Sequence, residues 1–273
     1  MKKGLNMKRI MLFATATLVA ALGAPAQDWA KARLEKSPRH LEWVKVKHGS
    51  REVNCFIGYP EAKEKATAVV VIHEIFGLSD WVRTVADQLA EAGYIAIAPD
   101  LLSGAAPGGG GTAELGGGDG VRKAISSLPP DQVTADLNAV ADYVAKLPAC
   151  NGKVTVVGFC WGGGQTFRFA TNRKEIAAAY SFYGPMPDNE ADIARINCPV
   201  YGFYGGNDAR INVSIPKTTE LMKKAGKTYE PVTYEGAGHG FMRAGEDPND
   251  KNPANKSARD EAWKRWKELL KKI

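Results

Sequence analysis

The segment 158–162 reads Gly-Phe-Cys-Trp-Gly and follows a run of β-branched residues at 154–157. A nucleophile between two glycines after a strand is typical of a nucleophile elbow, in which the strand turns sharply into a helix and lifts one side chain above the sheet. Because such a turn leaves no room for flanking side chains, it requires residues such as Gly158 and Gly162. The pattern predicts that Cys160 is a nucleophile at a strand end, where serine is usual.

Two segments further along the chain carry the acid and the base that such a nucleophile needs. Asp208 ends a glycine turn after the strand-like run 199–204, and His239 stands in a loop of small residues after the run 229–234. In a triad the carboxylate fixes the imidazole tautomer and the imidazole takes the proton of the nucleophile. Taken singly, Asp208 also suits an ordinary turn and His239 a surface loop. Their order after Cys160 is that of α/β-hydrolases and favours a triad.

From about Val53 to the C-terminus the sequence resembles the dienelactone hydrolases (carboxymethylenebutenolidases). The most specific local match is His73-Glu74-Ile75-Phe76-Gly77-Leu78, directly after the apolar run 68–72. The resemblance implies that Glu74 hydrogen-bonds to the resting thiol and releases it to the histidine when substrate binds. It also implies an oxyanion hole made by the backbone N–H groups of Ile75 and Trp161. The alternative interpretation of Glu74 is a helix-start carboxylate stabilised by the helix dipole.

The same resemblance implies arginines that hold a substrate carboxylate. Arg243, four residues after His239, stands at the offset of one family arginine, and a guanidinium grips a carboxylate with two hydrogen bonds. Arg243 is equally compatible with a solvated surface arginine. Arg122 is the nearest candidate for the second arginine, but Ser126 replaces the aromatic residue that the family has four positions later. This departure leaves open whether the substrate is a dienelactone.

The segment 104–120 contains nine glycines. It has no Gly-Lys-Ser/Thr and no helix signal immediately after it, so a phosphate-binding loop is not indicated. Glycine-dense segments do not pack a core. We therefore expect a flexible loop or a mobile lid beside the cleft.

The beginning of the chain predicts export. An apolar stretch at 10–22 and the motif Ala24-Pro25-Ala26 follow four basic residues, which are Lys2, Lys3, Lys8 and Arg9. This is the pattern of a secretory signal peptide, and the apolar stretch is too short to span a bilayer comfortably. We expect a signal peptide at 1–26, cleavage before Gln27 and a periplasmic or secreted protein. An uncleaved anchor is the alternative.

The charge of the chain gives little reason to expect a nucleic acid or an anionic membrane as a partner. The formal net charge is +6, and removal of the four basic residues of the leader, which has no acidic residue, leaves +2. An electrostatic partner of that kind requires a stronger basic balance. The expected partner is a small-molecule ester or lactone. Oligomeric state is left open.

The four cysteines, Cys55, Cys150, Cys160 and Cys198, show no C-x-x-C spacing. A zinc site is therefore not indicated, and we expect neither a metal nor another cofactor. Export permits disulfides. If Cys160 is free, at most one internal bridge can form, and the sequence does not decide whether Cys150 and Cys198 are close enough.

Strand-like runs lie near 41–47, 52–59, 68–73, 94–99, 154–158, 178–183, 199–204 and 229–234, and helical patterns lie at 79–92, 131–147, 163–172, 214–226 and 256–272. The continuously apolar later strands suit a parallel sheet that is covered on both faces. The turn at 48–50 suggests an antiparallel hairpin at the N-terminal edge. We expect one α/β-hydrolase domain at 27–273, with a mostly parallel, doubly wound sheet and an antiparallel N-terminal hairpin.

These patterns together predict an exported, cofactor-independent hydrolase of the dienelactone hydrolase type. Cys160 would attack an ester or lactone carbonyl and form an acyl-thioenzyme, with His239 moving protons, Asp208 orienting it and Glu74 controlling the thiol. One alternative is a general carboxylesterase. Another is a non-catalytic binding protein on a hydrolase scaffold, because fold does not dictate function.

Overall fold

Eight strands form one sheet in the computed structural model, which describes residues 27–273. In chain order they are β1 (Leu41–His48), β2 (Arg51–Gly58), β3 (Ala66–Ile72), β4 (Ile95–Pro99), β5 (Cys150–Phe159), β6 (Ala179–Phe182), β7 (Val200–Gly205) and β8 (Tyr229–Tyr234). Across the sheet the order is β1-β2-β4-β3-β5-β6-β7-β8. β1 and β2 form an antiparallel hairpin, β2 is antiparallel to β4, and all other pairs are parallel. The predicted α/β-hydrolase architecture is confirmed.

Ten helices cover the sheet within residues 27–273. They are α1 (Asp28–Glu35), α2 (Asp80–Glu91), α3 (Gly118–Ser126), α4 (Pro130–Ala145), α5 (Trp161–Asn172), α6 (Glu190–Ala194), α7 (Ala209–Asn212), α8 (Ile215–Lys224), α9 (Phe241–Ala244) and α10 (Pro253–Leu270). α1, α2, α9 and α10 contribute to the core on one face of the sheet, and α4, α5, α6 and α8 to the core on the other. All eight predicted strands and the five predicted helices are present, with ends that shift by a few residues. The predicted signal peptide lies outside the described residues.

The central strands have side chains in both cores. Val69 and Val71 of β3 belong to the core beneath α2 and α10, whereas Val70 and Ile72 belong to the core beneath α4 and α5. Successive side chains of a strand point to opposite faces, so a strand that is buried on both faces reads as an uninterrupted apolar run. The carboxyl ends of these parallel strands meet at one edge of the sheet.

The prediction for the glycine-rich segment is wrong in one respect. α3 begins inside the segment, at Gly118, although no helix signal was recognised there. Val121 and Ile125, one helical turn apart, are buried against Leu102, and this packing outweighs the low helix propensity of the glycines. Within the same segment, Thr112 donates hydrogen bonds from its backbone nitrogen and hydroxyl to the Asp100 carboxylate, at 2.8 and 2.7 Å. Movement of the segment as a lid stays a prediction.

The three cysteines outside the elbow, Cys55, Cys150 and Cys198, are buried, and all four cysteines are free. Cys150 and Cys198 therefore do not form the bridge that the sequence left open. Within residues 27–273, no helix is long and apolar enough to cross a membrane, and no cluster of three His, Cys, Asp or Glu side chains is placed to hold a metal ion.

An aromatic cluster joins α10 to the sheet. The buried Trp266 ring stacks on Trp263 at a centroid distance of 4.8 Å and meets Phe182 edge-on at 5.3 Å. Such rings contribute both buried apolar area and favourable pair geometry. The tryptophan pair of the last helix is thus part of the core.

We expect Trp266→Ala to lower the free energy of unfolding by about 3–5 kcal/mol, because it removes a large side chain from a site that cannot collapse fully. Equilibrium unfolding in urea measures the change. Val213→Ala is the matched control, since the Val213 side chain is 77% exposed. Equal effects of the two substitutions would contradict the role of Trp266 in the core.

Candidate active site

The turn at Cys160 is built by close backbone approaches. Cys160 lies between β5 and α5 with φ of 56°, in the left-handed region that costs an ordinary residue energy. A Cβ on Gly158 would overlap the carbonyl oxygen of Gly162, and a Cβ on Gly162 would lie 2.5 Å from the carbonyl oxygens of Ile72 and His73. Both glycines are therefore required where the elbow motif places them. Because Gly162 has no side chain, α5 can begin directly against the end of β3.

The structure brings Cys160, His239 and Asp208 together. His239 Nδ1 lies 2.5 Å from Asp208 Oδ2, and His239 Nε2 lies 3.1 Å from Cys160 Sγ. Because an ionised carboxylate can only accept, Nδ1 carries the imidazole proton and Nε2 is left to accept the proton of the thiol. Asp208 is the residue immediately before α7 and is almost fully buried, which keeps its carboxylate in place.

Glu74 has a different partner from the one that the resemblance implied. Its side chain is 2% exposed, and Arg243 Nε donates a 2.9 Å hydrogen bond to Glu74 Oε2. The Cys160 thiol instead contacts His239. A guanidinium forms a charge-assisted hydrogen bond with a carboxylate, whereas a thiol is a weak donor, so Arg243 is the stronger partner for Glu74. The expected resting contact between Glu74 and the thiol is absent.

The surroundings of Cys160 favour the protonated thiol. Burial, with the negative charge of Glu74 as the second cause, raises the pKa of Cys160 to about 11. The backbone N–H groups of Trp161 and Ile75 and the charge of Arg210 act in the opposite direction and lower this pKa. At neutral pH the sulfur is therefore uncharged until a base takes its proton.

The two backbone donors that the resemblance implied both act on the state of the sulfur. The N–H groups of Trp161 and Ile75 lower the pKa of the Cys160 thiol, because they favour its thiolate form. Trp161 is also the first residue of α5, a 12-residue helix whose N-terminal end favours negative charge. This arrangement suits an anion that develops beside the sulfur.

Arg122 is not brought into contact with Cys160, His239 or Glu74. It lies on α3, where its guanidinium pairs with Asp119 one turn earlier in the same helix. The face of α3 that approaches the site carries Val121 and Ile125 instead, which pack in one cluster with Ile75 and Trp161. A substrate-binding role for Arg122 stays a prediction, and in this structure its guanidinium is engaged by Asp119. The local helix, which the sequence did not reveal, directs the guanidinium to Asp119.

Tyr183 is a site residue that the sequence reasoning missed. Apart from Cys160, it is the one residue other than glycine with a positive φ, 40°, within residues 27–273. Its buried ring meets the His239 ring edge-on at a centroid distance of 5.1 Å, and burial raises the pKa of its hydroxyl well above the ordinary value. Its position directly after β6, at the edge where the other site residues follow their strands, was the available signal.

His73 supports the loop that carries Glu74 and Ile75. Its ring stacks on Trp161 at 5.5 Å, and its Nδ1–H donates to the Glu74 carbonyl oxygen at 2.9 Å. Burial lowers the pKa of His73, so the ring is neutral. His73 thus positions the backbone of the loop and carries no charge into the site.

The fold and the nucleophile elbow define an α/β-hydrolase. The sequence profile of the Dienelactone hydrolase family matches residues 53–273. A Salmonella typhimurium protein that is provisionally named carboxymethylenebutenolidase is 30% identical over 210 residues, which cover 70% of this chain and 73% of the relative. A Saccharolobus solfataricus protein with the same provisional name is 28% identical over 256 residues, covering 81% and 95% of the two chains.

A solved structure agrees with these sequence relationships. The crystal structure of a provisionally assigned dienelactone hydrolase from Klebsiella pneumoniae superposes with a TM-score of 0.74 at 25% identity, covering 86% of this chain and 99% of the other. The chain belongs to the dienelactone hydrolase family and is a hydrolase that acts on ester or lactone bonds.

We expect Glu74→Gln to lower the pKa of the Cys160 thiol below its value of about 11. The substitution removes a negative charge that opposes the thiolate and leaves Arg243 without its counter-charge, and both changes favour the ionised sulfur. The pH dependence of iodoacetamide labelling at Cys160 measures the shift, which should appear as faster labelling at pH 8.

Glu246→Gln is the matched control for this experiment. Glu246 is also a buried carboxylate paired with an arginine, Arg259, at 2.8 Å, whereas Glu74 is the carboxylate whose charge raises the pKa of the thiol. An unchanged labelling profile in Glu74→Gln, or an equal shift in both variants, would contradict the assigned effect of Glu74.

Proposed function

We propose that the protein is an exported cysteine-dependent hydrolase that cleaves an ester or lactone through an acyl-thioenzyme. The observation that carries this proposal is the position of His239, which bridges the Cys160 sulfur at 3.1 Å and the Asp208 carboxylate at 2.5 Å. A histidine held in this way can take the proton of the nucleophile and return it to the leaving group.

In the first half-reaction, His239 Nε2 takes the thiol proton and the Cys160 sulfur attacks the substrate carbonyl carbon. The carbonyl oxygen becomes an oxyanion, which accepts hydrogen bonds from the backbone N–H groups of Ile75 and Trp161. When the carbon–oxygen ester bond breaks, the alkoxide takes the proton from His239. For a lactone this alkoxide stays attached to the acyl group.

In the second half-reaction, water replaces the alcohol. His239 takes a proton from the water as its oxygen attacks the thioester carbon, and the same backbone donors hold the second oxyanion. The carbon–sulfur bond then breaks, and the sulfur recovers a proton from His239 as the carboxylic acid leaves. No metal or organic cofactor takes part in these steps.

Glu74 and Arg243 adjust the state of the thiol in this proposal. The charge of Glu74 raises the thiol pKa, so the unoccupied enzyme keeps a protonated sulfur that resists oxidation. Arg243 uses Nε for Glu74, and its terminal nitrogens make no hydrogen bond within residues 27–273. Those nitrogens are available to a substrate carboxylate.

A general carboxylesterase is the second candidate, and one observation favours it. Arg122 is held by Asp119 on α3, so Arg243 is left without the second arginine of a carboxylate clamp. A site with one guanidinium binds a substrate carboxylate less strongly than a site with two, so it favours anionic substrates less. The two candidates share the chemistry at Cys160 and differ in the substrate that they accept.

We expect Cys160→Ala to reduce hydrolysis of p-nitrophenyl acetate and of a dienelactone to the uncatalysed rate, with an unchanged far-UV circular dichroism spectrum. Cys198→Ala, which removes a buried cysteine outside the elbow, is the control and should retain activity. A higher kcat/KM for the dienelactone supports the family substrate, and a higher value for the acetate supports the general esterase. Activity that survives in Cys160→Ala would refute the mechanism.

The export part of the proposal has a separate test. Expression of the full chain in a Gram-negative bacterium should give a periplasmic protein whose first residue is Gln27, because Ala24-Pro25-Ala26 matches a signal peptidase site. N-terminal sequencing of the periplasmic fraction measures this. Ala26→Arg is the control and should keep the leader attached. An uncleaved wild-type chain would favour the anchor alternative.

A further inference from the structure

A groove of about 320 Å³ lies beside the candidate active site, at the carboxyl ends of β3 and β4. Its walls include Trp43, Phe76, Leu78, Arg83, Asp100 and Thr112. β3 stands between β4 and β5 in the sheet, so the loop after β3 has this groove on one side and Cys160 on the other. Ligands of open α/β sheets bind at this edge, beyond the carboxyl ends of the strands.

The outer wall of the groove is an exposed but well-held aromatic residue. Trp43 in β1 is 55% exposed, which is unusual because large apolar side chains of this fold are otherwise mostly covered. Its ring meets Phe56 edge-on at 5.5 Å, and the Arg83 guanidinium lies 5.7 Å from its centre. These contacts fix the ring in one position, so that it offers a preformed apolar surface.

The inner wall is fixed by hydrogen bonds from the glycine-rich segment. The Leu78 backbone nitrogen donates to Thr112 Oγ1 at 3.1 Å, and Thr112 is held in turn by the Asp100 carboxylate. The packing is close enough that a Cβ on Gly77 would overlap the Thr112 side chain. The groove therefore exists before any ligand arrives.

Phe76 links the groove to the loop that carries Glu74 and Ile75. The Phe76 ring lines the groove and carries the Arg243 guanidinium at 5.3 Å from its centre. Arg243 bonds to Glu74, and the residue between Glu74 and Phe76 is Ile75, whose backbone N–H lowers the pKa of the Cys160 thiol. The groove and the candidate site thus share one loop, residues 74–78.

We propose that this groove binds an aromatic or bulky apolar group of the ester substrate while the reacting carbonyl lies at Cys160. The proposal rests on the proposed function and names a substrate class for it: esters that carry an aryl-alkyl group. An apolar cavity of about 150 Å³ accommodates benzene, so a groove of this size has room for a phenyl ring and a short alkyl chain. Covering Trp43 removes apolar surface from water and favours such a ligand.

The test compares three esters that differ in where they carry a ring. Ethyl acetate is the reference, ethyl 4-phenylbutanoate carries a phenyl group on the acyl side, and 2-phenylethyl acetate carries it on the alcohol side. Hydrolysis by the full chain is followed by pH-stat titration, which needs no aromatic reporter group. We expect Trp43→Ala to lower kcat/KM for at least one aryl ester about 10-fold relative to ethyl acetate, chiefly through KM.

Two variants control for indirect effects. Trp43→Phe keeps an aromatic wall and should preserve most of the preference for the aryl ester. Val213→Ala removes the other exposed large apolar side chain of residues 27–273, away from the groove, and should leave the kcat/KM of both aryl esters relative to ethyl acetate unchanged. If Trp43→Ala leaves kcat/KM of both aryl esters relative to ethyl acetate unchanged while the wild type hydrolyses all three esters, the groove proposal is overturned and the proposed function stands.

Binding without chemistry separates the two proposals further. In Cys160→Ala, isothermal titration with N-ethyl-4-phenylbutanamide and with N-(2-phenylethyl)acetamide, the amides matched to the two aryl esters, should show binding that Trp43→Ala weakens for the preferred ligand. If the wild-type protein hydrolyses none of the three esters, the proposed function is overturned instead.

Sedimentation velocity tests whether a second copy of the chain covers the groove. A dimer that dissociates in Trp43→Ala would show that it does, and this would overturn the groove proposal.

Discussion

The site depends above all on how closely the backbone approaches itself where β5 turns into α5. At Gly158 and Gly162 there is no room for a side chain, because the backbone of the elbow lies directly against neighbouring backbone, including the end of β3. This contact forces Cys160 to a positive φ and places the first N–H of α5 beside the sulfur. The same contact brings the loop after β3 close to the elbow, and Ile75 of this loop is the second donor of the proposed mechanism. One steric constraint thus determines the positions of the proposed nucleophile and of its proposed donors.

The electrostatics of the sulfur follow from this placement. Burial and the charge of Glu74 favour the neutral thiol, while the two backbone donors and Arg210 favour the thiolate. The first pair of influences is the stronger, because the resulting pKa is about 11, above the ordinary value for cysteine. In the proposed mechanism such a sulfur needs a base in contact with it, and His239 Nε2 lies 3.1 Å away. Glu74 therefore raises the pKa of the thiol through its negative charge, although its hydrogen bond is with Arg243.

Most of the fold was predictable because strands buried on both faces leave a simple signal. Runs such as Val69-Val70-Val71-Ile72 have no polar residue, and a parallel sheet is the structure that covers them on both sides. The grouping of Cys160, Asp208 and His239 was predictable for a related reason, since each of them follows a strand and the carboxyl ends of parallel strands share one edge. Relative positions along the chain were enough to place them together.

What the sequence did not show was the choice among competing side-chain partners. Glu74 pairs with Arg243, which is far from it along the chain, and Arg122 pairs with Asp119 one turn away in a helix that the sequence did not predict. α3 was missed because its glycines oppose a helix, and only the burial of Val121 and Ile125 explains it. Tyr183 was missed because a strained φ has no sequence signature outside glycine, asparagine and aspartate.

The loop from Glu74 to Leu78 contributes both to the surroundings of the Cys160 sulfur and to the proposed substrate-binding groove, through different residues. Its first residues, Glu74 and Ile75, act on the sulfur, whereas Phe76 and Leu78 line the neighbouring groove. His73 holds one end of the loop against Trp161 and Thr112 holds the other, so the loop cannot shift toward the sulfur without disturbing the groove. Trp43 lies on β1, outside this loop, so a substitution there alters the wall of the groove without changing the loop sequence. Substrate preference can therefore vary in this fold while the elbow and its donors are retained.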